Sequence, residues 1–446
     1  MQKLFDFLEN RLMAPMSKLS QFHFVRAVGA AGMGSIPFTI VGSAFLIISI
    51  VPTVLPFMSS IWSVSFDKIT NLYMIGNTFT MGILALYFTI IMGYELTKIK
   101  AEYHNLDLSP LNGSMLGLMA FLFTMVQLIV KDGGIAYIKG DNMINGVAYG
   151  SFANRLGSSG IFTGIIMAYL AVSIYTYCVK KGWTIKLPNV VPSGVSRSFT
   201  ALIPTFVVAF LVLIINGLLV LTGYDIYSII EIPFGFVKNI LNSWYGIIIV
   251  ELLVHILWSV GIHGASIIGS FYTPFALANL EINQNLLLKG ATHGYQVFAG
   301  EFQTMFSFIG GSGGTLGLCL FMLLIAKSEQ LKVLGKSAIV PSIFGINEPI
   351  IFGLPIMYNP NLLIPFILAP TVTAAIAYFA ISSGIFPPII ANVPWCTPAI
   401  LNATIGTGSI MGGILAIICF VINFAIYFPF LKAYDKKLLS EEQAIN

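Results

Sequence analysis

The sequence predicts an all-α polytopic membrane protein, and three observations support that prediction. Of its 446 residues, 57% are hydrophobic and 9% are charged, whereas a soluble domain has about 25% charged residues. Several apolar runs reach the ~20 residues that one helix needs to cross a bilayer. Lysine and arginine cluster between alternate runs, as expected when alternate loops face the cytoplasm.

The first half of the chain, residues 1–223, is predicted to hold a surface helix and five spans. The first 25 residues mix charges with Leu, Phe and Met at helical spacing, which suits an amphipathic helix on the membrane surface. Basic residues are densest before the first span, after the second and after the fourth, so the N-terminus is predicted to be cytoplasmic. The five predicted spans are residues 28–51, 72–96, 111–130, 161–178 and 199–221.

The second half, residues 224–446, is less regular and is predicted to hold the substrate. Its apolar runs are interrupted by Pro, by glycine pairs and by charged residues. The predicted elements are an amphipathic connector at 224–242 broken by Pro233, two spans or one deep hairpin at 244–275, a polar loop at 276–300, a span at 302–326 interrupted by GGSGG, a span at 362–381, and a last span at 409–430.

Residues 341–360, PSIFGINEPIIFGLPIMYNP, are apolar, rich in proline and glycine, and contain one carboxylate, Glu348. Proline removes backbone donors, and non-helical backbone at membrane depth is tolerated only where protein or a water-filled cavity surrounds it. We therefore predict that residues 337–358 form a re-entrant hairpin with Asn347 and Glu348 at its tip. The alternative is that Glu348 is a solvated residue at a helix end.

A second re-entrant hairpin is predicted at residues 386–404, which contain four prolines and too few apolar residues to span. With both hairpins, the last span ends in the cytoplasm, as the lysines of the tail require. Two broken elements that meet near mid-bilayer from opposite faces are typical of transporter substrate sites.

Several polar residues of this half are candidates for contact with a ligand, each with a structural alternative. His263 lies between glycines in GIHG, and a neutral imidazole can donate to and accept from hydroxyls; otherwise it packs between helices. Trp395 offers an aromatic face to a sugar ring, or anchors the chain at the interface. Asn392 binds a hydroxyl or caps a turn.

Three further features each have two interpretations. Glu251 and His255 stand at i, i+4 spacing and form a supporting pair or touch the ligand. The GGSGG run lets helices pack closely, or presents backbone to a ligand. Arg155 is a loop residue, or a charge in the translocation path.

Some functions are excluded by missing motifs. The chain contains no GxxxxGK[ST] loop, no zinc signature and no CxxC pair, so we expect no bound nucleotide, no metal and no other cofactor. No nucleic acid is expected as a partner. The cysteines are Cys178, Cys319, Cys396 and Cys419.

Residues 185–204, IKLPNVVPSGVSRSFTALIP, resemble the cytoplasmic-loop signature of the enzyme IIC component of the lactose/cellobiose/diacetylchitobiose family of the bacterial sugar phosphotransferase system. Further motifs of that family are matched in order by RAVGAAGMGSIPFTIVGSAFLI, GIHG, GGSGGTLGL, GINEPIIFGLP and NVPWCTP. One departure is at residues 27–29, AVG, where an acidic residue often follows the arginine.

The resemblance implies a permease of about ten spans and two re-entrant hairpins, located in the bacterial cell membrane with both termini cytoplasmic. It implies a homodimer formed by the N-terminal half, and a sugar held in the C-terminal half by His263 and Glu348 near Trp395. A separate enzyme IIB carrying phosphocysteine would phosphorylate the sugar, supplied in turn by enzyme IIA. Glu348 and His263 would act in that reaction, with Asn347, Trp395 and Asn392 binding sugar.

Two other functions remain as alternatives. A secondary sugar transporter coupled to protons or sodium would use Glu348 as its coupling residue. A membrane enzyme acting on lipid-linked sugars would need several carboxylates at one site, and few lie near apolar segments. The sequence does not separate cellobiose, diacetylchitobiose and lactose as substrates.

Overall fold

The computed structural model describes residues 21–54, 56–139, 143–144, 147–148, 155–188, 190–259, 261–354, 356 and 360–445. Most of the predicted N-terminal amphipathic helix lies outside these residues. The described part is mostly helical. The helices are α1 (His23–Val54), α2 (Ser59–Val64), α3 (Thr70–Thr78), α4 (Leu84–His104), α5 (Pro110–Phe123), α6 (Ile161–Lys180), α7 (Ser193–Thr200), α8 (Leu202–Val220), α9 (Ile226–Leu241), α10 (Trp244–Ser259), α11 (Gly264–Leu288), α12 (Phe302–Phe306), α13 (Leu316–Leu324), α14 (Glu329–Ile343), α15 (Glu348–Gly353), α16 (Pro360–Ser382), α17 (Ala399–Thr407) and α18 (Ile410–Ile445).

Two short antiparallel hairpins interrupt the helices. Strands β1 (Leu128–Lys131) and β2 (Gly134–Tyr137) pair with Leu128 opposite Tyr137, and β3 (Met143–Ile144) pairs with β4 (Val147–Ala148). The first hairpin turns at Asp132 and Gly133, both at positive φ (53° and 76°). Asp-Gly is a favoured pair for such a turn.

Six helices in the described residues are long and apolar enough to cross a membrane. A seventh crossing is possible if α9 and α10, which bend by 83°, are counted as one broken span. The chain is therefore a membrane protein with several apolar helices. The predicted number of about ten crossings stays a prediction, as do the re-entrant hairpins.

The chain divides into two compact units. One contains Ser43–Met74 and Ile240–Asn446, and the other contains Ser20–Gly42 and Ile75–Asn239. In the first unit, the buried hydrophobic core gathers residues from α10, α13, α14, α16 and α18, including Trp258, Phe321 and Phe366. The predicted functional division at residues 223 and 224 stays a prediction.

Two predicted spans of the first half are shorter or less regular than expected. The helix expected at 111–130 ends at Phe123, and residues 128–130 belong to β1, because the Asp-Gly turn draws them into a hairpin. The helix expected at 72–96 is interrupted between Thr78 and Leu84. Gly42 on α1 accepts from Asn77 Nδ2 at 3.0 Å, so the interruption packs against that glycine.

The polar loop expected at 276–300 was a wrong prediction for its first part, because α11 continues to Leu288. Its polar residues are buried and complete the hydrogen bonding of neighbouring extended backbone. Asn279 Nδ2 donates to Phe298 O at 2.7 Å, and Asn283 Nδ2 donates to Ile389 O at 2.8 Å. These polar side chains hydrogen-bond backbone carbonyl groups of non-helical segments and do not face water.

The connector predicted at 224–242 is helical as α9, but Pro233 lies inside the helix and does not break it. Further along the chain, residues 337–358 do turn, with α14 and α15 on either side of the turn. Residues 386–398 lack helix, and α17 follows them.

Arg155 was predicted to be a solvated loop residue, with a charge in the translocation path as the alternative, but its side chain is largely buried and paired. Its guanidinium lies 2.7 Å from Asp225 and donates to Thr124 O at 2.8 Å. It also stacks over the Tyr227 ring at 4.4 Å. Burial would raise the pKa of Asp225, but hydrogen bonds from Ser228 and the Arg155 charge outweigh burial, and the pKa falls below its ordinary value.

Candidate functional site

The turn between α14 and α15 presents Glu348 as the first residue of α15, with an exposed side chain. Phe344 N and Ile346 N both donate to Pro341 O at 3.0 Å, and Gly345 adopts φ +78°. Only glycine adopts that conformation without strain. Within the described residues, Glu348 has no hydrogen-bond or ion-pair partner, so its carboxylate is available to a ligand.

The neighbouring residue, Asn347, is buried and anchors the turn. Its Nδ2 donates to Ser312 O at 2.6 Å and to Thr315 Oγ1 at 2.9 Å. Both acceptors belong to the segment around the GGSGG run. Both hydrogen bonds of Asn347 Nδ2 therefore go to neighbouring protein atoms. The predicted contact of Asn347 with substrate would have to use other atoms of the residue.

The GGSGG run is a buried turn between α12 and α13. Gly310, Gly311, Gly313 and Gly314 all have positive φ, between 65° and 101°. A Cβ at Gly311 would overlap the Asn347 amide, and one at Gly313 would overlap the Phe366 ring. The glycines therefore allow both the backbone conformation and the close approach of Asn347.

Glu251 and His255 support this turn from α10. His255 Nε2 accepts from Gly313 N at 2.8 Å, and Nδ1 contacts Glu251 O at 2.7 Å. Because Nε2 accepts a hydrogen bond, this geometry assigns the proton to Nδ1, which donates to the carbonyl. Glu251 Oε1 accepts from Ser307 Oγ at 2.8 Å. Both residues are fully buried, which favours the supporting pair over direct contact with a ligand.

His263 is the N-cap of α11 and its side chain is exposed. Ser266 N donates to His263 Nδ1 at 3.2 Å, and Ser266 Oγ lies 2.9 Å from the same nitrogen. The imidazole lies against the Trp258 ring, with centroids 4.4 Å apart. The structure thus fixes the ring at one nitrogen and leaves Nε2 accessible.

Trp395 is 43% exposed and lies beside the turn that carries Glu348. A Cβ built at Gly345 would be 3.6 Å from Trp395 O and 4.0 Å from the indole ring. The two predicted hairpins are thus brought together at Gly345 and Trp395. No hydrogen bond joins His263 to Glu348 within the described residues.

Asn392 is buried in the same extended segment. Its backbone N donates to Ser43 Oγ at 2.7 Å, and its Oδ1 would be 3.4 Å from a Cβ at Gly300. The segment from Asn392 to Trp395 therefore lies beside Gly300 at its first residue and beside Gly345 at its last.

The sequence reading missed two groups near these residues. Ser266 contacts His263, and its position three residues after an N-cap was the available signal. The second group is Glu301 with Thr304 and Asn402. Thr304 Oγ1 donates to Glu301 Oε2 at 3.3 Å, and Thr304 Oγ1 itself accepts from Asn402 Nδ2 at 3.3 Å. This second group depends on a contact across 98 residues, which no local pattern predicts.

A cavity of about 390 Å³ elsewhere in this unit contains none of the predicted site residues. It is mostly apolar and is lined by Ile50, Leu287, Tyr295, Pro387, Pro388, Ile390, Thr407, Gly408, Ser409, Ile410 and Met411.

In the described residues, no group of three or more His, Cys, Asp or Glu side chains is placed to hold a metal ion. The four cysteines are free, and Cys178, Cys319 and Cys419 are buried. Only Cys396 is exposed among them.

Comparison with known proteins gives consistent matches along the chain. Residues 29–370 match the family model for the phosphotransferase system, EIIC. The chain is 36% identical over 456 residues to the PTS system cellobiose-specific EIIC component of Geobacillus stearothermophilus, covering 100% of this chain and 97% of that protein. It is 33% identical over 449 residues to the PTS system oligo-beta-mannoside-specific EIIC component of Bacillus subtilis, covering 99% and 96%.

A solved structure also matches over nearly the whole chain. It is the crystal structure of the transporter ChbC, the IIC component from the N,N'-diacetylchitobiose-specific phosphotransferase system. The TM-score is 0.88 at 34% sequence identity, covering 98% of this chain and 99% of that chain.

Proposed function

The chain belongs to the EIIC family of the phosphotransferase system, and from that premise we propose that it moves a β-linked disaccharide across the bacterial membrane for phosphorylation by EIIB. It is a sugar permease of that system, and EIIB and EIIA are the partners that the family implies. The substrate class, the residues that hold the sugar and the assembly are the proposed parts.

One observation supports the site more than any other. Glu348 is an exposed carboxylate on a turn that Asn347 fixes to the buried glycine turn, beside the partly exposed Trp395. A carboxylate in a mainly apolar segment is costly to retain, and an exposed aromatic face next to it suits a sugar ring. Together they form a site for a hydroxylated ligand.

We assign the following roles at this site. Glu348 and His263 hydrogen-bond the sugar hydroxyl that is phosphorylated, and Glu348 accepts its proton as the reaction proceeds. Trp395 stacks against a ring, while Asn392 and Asn347 contribute amide contacts. The phosphoryl group passes from the EIIB cysteine to the sugar oxygen. The S–P bond breaks, the O–P bond forms, and the cysteine leaves as a thiolate.

The proposal includes the arrangement in the membrane. About ten spans and two re-entrant hairpins, at 337–358 and 386–404, place both termini in the cytoplasm. Residues 1–223 form the dimer contact, and residues 224–446 hold and carry the sugar. The lysines of the tail and the turns at both hairpins support this arrangement.

The deciding experiment is transport in proteoliposomes. With EI, HPr, EIIA, EIIB and phosphoenolpyruvate on the cytoplasmic side, we expect external disaccharide to appear as sugar phosphate on that side, and only when EIIB is present. Accumulation of unmodified sugar without phosphoenolpyruvate, driven by a proton or sodium gradient, would instead establish the secondary transporter.

The sugar is identified by direct binding to the purified protein. Cellobiose, diacetylchitobiose and lactose differ in hydroxyl orientation or in an acetamido group, and a site built to pair a polar group rejects a sugar that lacks it. Since the matched relatives include a cellobiose-specific component, we expect cellobiose to bind at least about tenfold more tightly than lactose. Equal affinity for all three would contradict a specific β-glucoside site.

A further inference from the structure

His263 is held at only one of its two ring nitrogens. The residue precedes α11, and its Nδ1 accepts the backbone N–H of Ser266 at 3.2 Å, closing the first turn of that helix. The Ser266 hydroxyl lies 2.9 Å from the same nitrogen. Nε2 has no partner within the described residues, and the side chain is exposed.

The two Ser266 contacts, from the backbone N–H and from the hydroxyl, together favour one position for the imidazole proton. A backbone N–H only donates, so Nδ1 must present its lone pair to Ser266 N. A proton on Nδ1 would face that N–H and remove the bond. The hydroxyl of Ser266 can adapt to either state, but next to an accepting Nδ1 it is placed to donate. The neutral ring in this geometry therefore carries its proton on Nε2.

We propose that Ser266 is a positioning residue for sugar phosphorylation, because it holds His263 as the tautomer whose Nε2–H donates to the sugar hydroxyl. This inference rests on the proposed function. A hydroxyl oxygen that accepts from Nε2–H has its own O–H free to point elsewhere. The unpartnered Glu348 carboxylate is the group that receives that proton, which separates the roles of the two residues.

The orientation of the ring is fixed independently of its tautomer. The Trp258 ring packs against the imidazole at 4.4 Å with a 47° angle between the planes. Trp258 is buried in the hydrophobic core of its unit. Ser266 therefore sets the proton, while Trp258 limits rotation of the ring, and a change at Ser266 alone should leave the position of the ring largely intact.

The chain offers matched variants on one helix face. Ser266→Ala removes the hydroxyl but keeps the backbone N–H, whereas Ser266→Thr keeps both donors. Ser270→Ala, one turn further on, removes a hydroxyl that donates to Ser266 O at 2.9 Å and that forms no hydrogen bond with His263 within the described residues. Ser270→Ala is the control for a general effect on α11.

The test combines nitrogen NMR with phosphorylation kinetics, on full-length protein in lipid. In the wild type we expect the ¹⁵N shifts of His263 to show Nδ1 unprotonated and Nε2 protonated. Ser266→Ala should increase the Nδ1-protonated population and lower kcat about three- to tenfold, the effect of one hydrogen bond, with little change in sugar affinity. Ser266→Thr and Ser270→Ala should resemble the wild type.

Protonated Nδ1 in the wild type would overturn the proposal, as would a Ser266→Ala variant with unchanged nitrogen shifts and unchanged kcat. If Ser266→Ala does not fold, the wild-type shifts still decide the tautomer. Failure of the proposed function looks different, since the wild type would then yield no sugar phosphate with EIIB while the nitrogen shifts would stay as expected.

Discussion

Two adjacent residues of the candidate site, Asn347 and Glu348, differ sharply in their surroundings. The amide is buried and bound to Ser312 and Thr315, whereas the carboxylate is exposed. A turn fixed in this way positions the backbone of Glu348 without using either oxygen of its carboxylate.

Glu348→Gln should therefore keep the fold and abolish sugar phosphorylation. The amide is nearly the same size as the carboxylate and can still hydrogen-bond a hydroxyl, but it cannot accept a proton. We expect kcat to fall by at least about a hundredfold, the contribution of a general base, with thermal unfolding unchanged. Glu329→Gln, on the exposed start of α14, is the matched control. Retained phosphorylation would remove Glu348 from the catalytic role.

Trp395→Ala should weaken sugar binding while leaving expression intact. The side chain is 43% exposed, so little core packing is lost, and an aromatic contact contributes about 0.5–1.5 kcal/mol beyond its buried area. We expect Kd to rise about three- to tenfold by calorimetry. Trp244→Ala is the control, since Trp244 is 49% exposed. Unchanged affinity would return Trp395 to the role of a membrane anchor.

The candidate residues were predictable because each stood out against its local sequence. A carboxylate among prolines, glycines and apolar residues, and a histidine between glycines, need no long-range information to be noticed. Their supporting contacts were not predictable, since Asn347 meets Ser312 across 35 residues and His255 meets Gly313 across 58. Local periodicity contains no information about such pairs.

At the scale of elements, the glycine turn connects the supporting residues to the turn that carries Glu348. Gly313 N donates to His255, Gly313 O accepts from Tyr427 at 2.8 Å, and Ser312 O accepts from Asn347. One short run of backbone is thus hydrogen-bonded to three helices. It contacts α10 and α18 within their length and α15 at its N-cap. The turn requires glycine both for its positive φ and for this proximity.

Gly311→Ala should consequently impair both stability and sugar binding. Its φ of +101° is unfavourable for alanine, and the added Cβ would overlap the Asn347 amide. We expect loss of about 2–4 kcal/mol, the sum of backbone strain and overpacking, measured by thermal unfolding in detergent. Gly384→Ala separates the two causes, because its φ is +75° with nothing within 4 Å of the new Cβ. Equal effects of both substitutions would mean that the contact with Asn347 is unimportant.

Helix boundaries were predictable where hydropathy alone decides them, as in α6 and at the start of α18. They were missed where polar residues serve neighbouring backbone. The buried amides of α11 looked like a solvated loop because composition does not distinguish a side chain facing water from one facing an unpaired carbonyl. The Asp132-Gly133 pair did indicate a hairpin turn, but the apolar residues at 111–130 favoured the prediction of one continuous helix up to that turn.

At the scale of the whole chain, residues far apart in sequence hold the site. Four consecutive backbone N–H groups at the start of α14 donate to carboxylates of α18, with Lys327 and Ser328 bound to Asp435, and Glu329 and Gln330 bound to Glu442. The N–H groups of Glu329 and Gln330 are among those that a helix leaves unpaired at its N-terminus. The end of the chain therefore fixes the helix that leads to Glu348.

One ion pair of the other unit should make its stability sensitive to acid. Arg155 and Asp225 lie 2.7 Å apart, and Asp225 also accepts from Ser228 N at 2.8 Å at the start of α9. Because the folded protein lowers the pKa of Asp225, the charged form is bound more tightly than the protonated form. The stabilisation is complete above the unfolded pKa and is lost as the pH falls through the folded pKa.

Asp225→Asn should thus destabilise the protein near neutral pH by about 1–3 kcal/mol, the cost of removing a charged partner from a partly buried arginine. The difference in thermal unfolding between wild type and variant should stay constant down to the ordinary range of aspartate and shrink at lower pH. Asp107→Asn is the control, since Asp107 is exposed and lies 4.0 Å from Arg197. A difference independent of pH would show that Asp225 acts through packing and neutral hydrogen bonds, and the charge of the pair would then contribute nothing to stability.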